Sequence, residues 1–149
     1  MNKLLALSII GLSFLACNKK TSSKTKEEKP NIIFILTDDQ RWDALGYTGN
    51  ALAHTPEMDK LAKSGVFFKN TIATTPICAA SRASIFSGLQ ERTHNYSFTS
   101  KAMKDEYMEQ AFPRVLKQSG YYTGLYGKFG VKYKKLDSLY DVHENYDLR

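Results

Sequence analysis

The stretch Asn31-Ile-Ile-Phe-Ile-Leu-Thr37 constrains this chain more than any other. Its side chains are mostly β-branched or aromatic and run on without polar alternation, the pattern of a strand buried on both faces of a parallel sheet. The run stops abruptly at Asp38-Asp39-Gln40. A loop with Gly46, Gly49 and Asn50 leads to Thr55-Pro56-Glu57, where a capping threonine, a proline at the first helical position and an early acid predict a helix start. Gly65 ends that helix. Residues 66–72 predict a second strand, residues 79–87 a helix stopped by Gly88, and residues 112–119 a helix stopped by Gly120. Residues 121–126 predict a third strand delivered to Gly127-Lys128. Strands alternating with helices predict an α/β domain, a mostly parallel central sheet flanked by helices, with functional groups at the carboxyl ends of the strands.

Composition enters where it excludes classes of function. With 149 residues and 42% hydrophobic content the chain has the material for one packed core. Of the net charge of +6, +4 falls in residues 1–30, where six lysines face two glutamates; the rest carries +2 and no arginine-rich stripe. A nucleic-acid binder is therefore disfavoured.

The first segment reads as an address. Lys3 precedes a twelve-residue apolar run, residues 4–15, too short to span a bilayer and the size of a secretory core, so residues 1–16 are expected to be a signal peptide. Phe14-Leu15-Ala16-Cys17 resembles the lipobox of bacterial lipoproteins, with Phe14 where leucine is usual. Cys17 is then a lipid anchor; the other reading is an ordinary secretory peptide with an incidental cysteine. Residues 18–29 (NKKTSSKTKEEK) have no apolar side chain and are expected to form a disordered tether of about 20 Å mean reach. The expected organisation is signal peptide 1–16, lipidated cysteine and tether 17–29, and a folded domain over 30–149. The expected location is periplasmic or cell-surface, anchored to a membrane through Cys17.

Three features sit at the ends of the predicted elements. Asp38-Asp39 follow the first strand, and adjacent carboxylates converge on one ion only if the chain turns there. Hard oxygen donors of this kind suit Ca²⁺ or Mg²⁺, and a helix cap or solvated turn is the equal alternative. Cys78-Ala-Ala-Ser-Arg82 opens a helix, so the thiol lies at the positive end of the dipole with Arg82 at i+4 on the same face. With Cys17 lipidated, Cys78 is the only remaining thiol of an exported chain and reads either as a reactive nucleophile or as a buried inert group. Gly127-Lys128 ends the later strand; alone, Lys128 reads as an exposed lysine.

Together, PNIIFILTDDQ, TPEMDKLAKSGVFF, PICAASRASIFSG and GYYTGLYGK resemble the amino-terminal part of a type I sulfatase of the alkaline-phosphatase-like superfamily. The resemblance covers residues 30 to about 130 and implies an alkaline-phosphatase-like α/β fold, incomplete in this chain. Its motif Cys-x-Pro/Ala-Ser/Ala-Arg is matched by Cys78, Ala80, Ser81 and Arg82, and implies that a maturation enzyme converts Cys78 to formylglycine. A hydrated aldehyde has two geminal hydroxyls, one to attack sulfur and one whose proton loss later expels sulfate. The resemblance further implies Ca²⁺ held by Asp38, Asp39 and the modified Cys78, charge compensation by Arg82 and a sulfate contact from Lys128. A sulfated carbohydrate or other sulfate ester is the implied substrate.

The chain departs from that pattern in places. Ala80 replaces the commoner proline, a modest change since alanine is also a good helix former. Gly127-Lys128-Phe129-Gly130 lacks the histidine that the family often has at the position of Gly130, and His94 and His143 are the candidates to substitute for it. His54 reads as local capping or surface, Gln40 and Arg41 follow the expected position of the ion with Arg41 equally readable as a surface charge, and residues 132–149 have no assigned role. The metal and catalytic groups that sulfatases add downstream are absent from a chain expected to represent the first third of such an enzyme. A phosphatase or phosphodiesterase of the same superfamily would present serine or threonine where Cys78 stands, and a cysteine phosphatase would place its arginine six residues after the cysteine rather than four. A non-catalytic or truncated lipoprotein is the alternative outside enzymes.

Overall fold

The computed structural model describes residues 28–97, 99 and 101–146. The signal peptide, Cys17, the tether up to residue 27 and residues 147–149 lie outside the described residues. The chain divides into two units, one ending at Leu36 and the other starting at Thr37.

In the first unit, residues 28–36 are in neither a helix nor a ladder, and Ile32, Ile33, Phe34 and Ile35 are exposed, Ile33 by 85%. This corrects the predicted central strand at 31–37. Its side chains suit burial, but a ladder also needs a neighbour to bond its amides, and no strand among the described residues pairs with it. The predicted strand at 66–72 fails for a local reason. A turn at residues 69–70, with Thr71 Oγ1 donating to the Phe68 carbonyl at 3.2 Å, breaks the run and leaves Val66, Phe68 and Ile72 exposed.

The second unit holds five α-helices among the described residues: α1 (Pro56–Ser64), α2 (Cys78–Ser87), α3 (Glu91–His94), α4 (Asp105–Met108) and α5 (Phe112–Gln118). Pro56 opens α1 and Gly65 closes it as the sequence predicts, but Thr55 is not a side-chain cap. Its Oγ1 instead donates to Asp59 Oδ1 at 2.9 Å and accepts from the Gly46 amide at 2.9 Å, tying the preceding loop to the helix. The short helices α3 and α4 carry no predicted signal.

Two strands, β1 (Gly124–Gly127) and β2 (Val142–Asn145), pair in parallel with Gly124 opposite Val142 and Gly127 opposite Asn145. The fold is thus α/β with a parallel sheet. β1 lies at the carboxyl end of the predicted third strand; β2 falls in the stretch to which the sequence assigned nothing. Asp141, just before β2, accepts from the Thr123 amide at 2.8 Å and its hydroxyl at 3.0 Å, and Lys117 of α5 pairs with it at 3.1 Å. These bonds set the register of the strand pair.

Helix α2 is the spine of the core. Ala79, Ala83 and Phe86, at i, i+4 and i+7, face inward. Phe86 stacks on Phe129 with ring centres 4.7 Å apart, and Phe129 meets Tyr140 edge-on at 6.3 Å. Phe129 is wholly buried. A turn that carries Lys128 and Gly130 on either side of a core phenylalanine is thereby locked against α2, with the Phe129 amide donating to Asn145 Oδ1 at 3.0 Å.

Candidate active site

Cys78 is the first residue of α2, where backbone N–H groups have no intrahelical acceptor. Ile77 precedes it in extended conformation and supplies no side-chain cap. The thiol is free and half-buried. Arg82, one turn on, is almost fully buried, because the Ala79–Ala83–Phe86 face draws that side of the helix onto the core.

The buried guanidinium has two partners. Nη1 donates to the Lys128 carbonyl at 2.5 Å, and Nη2 lies 3.4 Å from Asp38 Oδ1. Lys128 Nζ donates to the other oxygen of the same carboxylate, Asp38 Oδ2, at 2.5 Å. One carboxylate therefore stands between two cations brought from 44 and 90 residues away in the chain. The Lys128 hydrogen bond, aided by the charges of Lys128 and Arg82, holds the Asp38 carboxyl below the usual carboxylate range against opposition from desolvation. Lys128 is raised in turn, chiefly by that bond, with desolvation opposing and the nearby Cys78 side chain adding to the rise. Four residues singled out in the sequence, Asp38, Cys78, Arg82 and Lys128, thus form one electrostatic neighbourhood.

Asp39 stands apart from it. Its backbone is left-handed, φ 54°, which is the sharp turn that adjacent carboxylates need after an extended run. Its side chain is exposed, without an ion pair among the described residues. Gln40 reaches toward Met58 Sδ at 3.7 Å, and Arg41 forks onto Asp43 at 2.9 and 2.6 Å, so the surface-charge reading of Arg41 holds. His54 is exposed.

Neither candidate histidine replaces the one absent at Gly130. His94 is buried behind α2, where Nδ1 accepts from the Tyr96 amide at 3.1 Å and Nε2 lies 3.0 Å from Ser84 Oγ. An amide donor at Nδ1 requires the neutral ring with its proton on Nε2. Desolvation accordingly lowers the His94 pKa, with Glu91 opposing. Ser84 follows Arg82 by two positions, about 200° round the helix, so His94 serves the opposite face. His143 binds Asp137 Oδ1 at 2.9 Å.

The position of Gly130 was legible as a departure, but not its surroundings. Its φ is 73°, and a Cβ placed there would meet Arg82 Cδ at 2.7 Å.

As to a cation, Asp38 and Asp39 provide hard oxygen donors of the type Ca²⁺ takes. Among the described residues no group of three His, Cys, Asp or Glu side chains assembles. The carboxylates fit a calcium site in kind, as a minority of the about six to eight oxygens it requires.

The family profile described as sulfatase matches residues 30–148. The chain is 37% identical to an N-acetylglucosamine-6-O-sulfatase of Bacteroides thetaiotaomicron over 125 residues, covering 84% of this chain and 22% of that protein. It is 35% identical to an ulvan-active sulfatase of Formosa agariphila over 127 residues, 81% of this chain and 24% of that protein. An arylsulfatase of Clostridium perfringens is 36% identical over 103 residues, 69% of this chain and 21% of that protein. The chain thus spans less than a quarter of the length of these relatives.

Proposed function

Because this chain belongs to the sulfatase family, we propose that it carries the nucleophile end of a sulfate-ester hydrolase, with Cys78 as the residue matured to formylglycine. The observation that carries the reading is the Asp38–Lys128–Arg82 cluster beside a free, half-buried Cys78 at a helix amino terminus. Two cations around one carboxylate leave a net positive region able to receive the singly charged sulfate group of an ester. Arg82 has the planar donor fork suited to an anion and is held from behind by the Lys128 carbonyl. Lys128 is more exposed and on a flexible stem, so it is the group free to swing from Asp38 to a sulfate oxygen. The helix amino terminus adds unsatisfied N–H groups to the same region.

The aldehyde hydrate supplies a nucleophilic hydroxyl and a second hydroxyl for release of sulfate. Asp38 and Asp39, with the modified Cys78, would hold Ca²⁺, which supplies Lewis acidity toward sulfate oxygens. A sulfated carbohydrate is the substrate class we favour, supported by the amino sugar named in one relative. Maturation requires a formylglycine-generating partner enzyme. Export and membrane anchoring through a lipidated Cys17 rest on residues 3–17; no helix among the described residues is long and apolar enough to cross a membrane.

Mass spectrometry of the Cys78 peptide from the mature protein tests the reading. The mass of an aldehyde in place of the thiol is expected. An intact thiol in a protein that hydrolyses sulfate esters overturns the mechanism, and an intact thiol with no turnover favours a non-catalytic lipoprotein.

A further inference from the structure

Gly130 is conspicuous because its conformation disfavours a side chain and its surroundings leave no room for one, for separate reasons. At φ 73° it lies in the left-handed region, which disfavours any residue with a Cβ. Gly88 has the same backbone, φ 72°, yet a Cβ there would have nothing within 4 Å. At Gly130 the added carbon would stand 2.7 Å from Arg82 Cδ, 3.4 Å from Arg82 Nε and 3.6 Å from Lys128 Cε. Arg82 cannot give way by rotating a free end, since its head group is bonded to the Lys128 carbonyl at 2.5 Å and faces Asp38 at 3.4 Å. Nor can the turn retreat, because Phe129 beside Gly130 is wholly buried against Phe86.

We propose that Gly130 is a positioning residue: its bare Cα is the seat across which the Arg82 side chain runs to reach the Lys128 carbonyl and Asp38. The chain has exchanged the imidazole expected at this place for room in which the arginine lies flat. Any side chain at 130, histidine included, displaces Arg82. The seat is a matter of packing; its consequence for turnover rests on the sulfatase reading.

The test compares Gly130→Ala with Gly88→Ala in the full-length, ¹⁵N-labelled protein, so that the left-handed cost common to both is subtracted. The first readout is water exchange of the Arg82 Nη1–H protons, which donate to the Lys128 carbonyl, identified by their loss in Arg82→Ala. Gly130→Ala is expected to speed exchange about ten- to a hundredfold, the factor for losing one charge-assisted hydrogen bond, while Gly88→Ala leaves it unchanged. The second is hydrolysis of p-nitrophenyl sulfate, where kcat is expected to fall more than KM rises in Gly130→Ala alone. Exchange in Gly130→Ala equal to that of the unmodified protein or of Gly88→Ala overturns the seat. If Gly130→Ala does not fold, Arg82→Ala is added to it. The seat requires that the double variant fall below Arg82→Ala in melting temperature by no more than Gly88→Ala falls below the unmodified protein. A larger deficit refutes it. If the unmodified protein has no turnover, the sulfatase reading fails while exchange still decides the seat.

Discussion

Replacing Arg82 by methionine separates what the guanidinium does for the fold from what it does for an anion. Methionine keeps much of the apolar stem and removes the charge. The Lys128 carbonyl then loses the donor it has at 2.5 Å, a loss of about 1–3 kcal/mol if nothing replaces it. Attraction to Asp38 at 3.4 Å is also lost. That carboxylate is 38% exposed, so water screens it and the contribution is about 1–2 kcal/mol. Against these stands the desolvation of a guanidinium whose side chain is 6% exposed, several kcal/mol that the variant no longer bears. The opposing effects nearly cancel, and Arg82→Met is expected to unfold in urea within about 1 kcal/mol of the unmodified protein. Arg82→Ala loses the same bonds and in addition the packing of its methylenes, at about 0.8 kcal/mol each, so a loss of about 2–4 kcal/mol is expected. On the proposed function, sulfate-ester turnover of the full-length protein is, by contrast, expected to drop about 10²–10³-fold in both, as for loss of one charge-stabilising group. Destabilisation of Arg82→Met by more than about 3 kcal/mol would show the guanidinium to be a structural element. Unchanged turnover would remove Arg82 from the site.

Phe129→Ala empties a wholly buried position between Phe86 and Tyr140 and is expected to cost about 3–5 kcal/mol by chemical denaturation; a loss under about 1 kcal/mol contradicts the packing. The lowered Asp38 contributes stability above its unfolded pKa of about 3.9 and loses it as pH falls through its lower folded value. The raised Lys128 contributes below about 10.4 and loses it as pH rises through its higher folded value. Asp38→Asn should therefore flatten the acid limb of a melting-temperature profile below about pH 4 and leave the slope between about pH 5 and 9 unchanged; an altered neutral slope contradicts the pairing. His94, lowered by burial, is held neutral, so stability should decline as pH falls below about 6.5. Urea melts at pH 7.5 and 5.5 check this, and His94→Asn should remove part of the difference; an unchanged difference would mean that His94 is not the group responsible.

The elements that the sequence announced are those with local signals. Pro56 and Gly65 bound α1, and Gly88 stops α2, because a fixed φ, a missing N–H or a missing Cβ acts within one turn whatever surrounds it. The relation of Cys78 to Arg82 was likewise legible, since i and i+4 share a face of any helix. β2 was not legible, for Val142-His-Glu-Asn145 has no strand-like alternation and is drawn into the sheet by β1 and by the Asp141–Thr123 bonds. The predicted strands at 31–37 and 66–72 show the converse: an apolar run records that burial suits it, not which neighbour buries it.

By itself, then, the sequence determined the chemistry available to this protein: two carboxylates after an extended run, a lone thiol opening a helix above an arginine, and a lysine after a glycine. Tertiary structure alone decided that Asp38 faces both Lys128 and Arg82, that Asp39 forms no ion pair with either, that His94 and His143 serve other bonds, and that Gly130 makes room for the arginine. The physical reason is range. Helix phase and turn chemistry are properties of a few adjacent residues, whereas an ion pair between residues 90 apart, or a collision at 2.7 Å between a missing Cβ and Arg82, exists only after the core has brought those segments together.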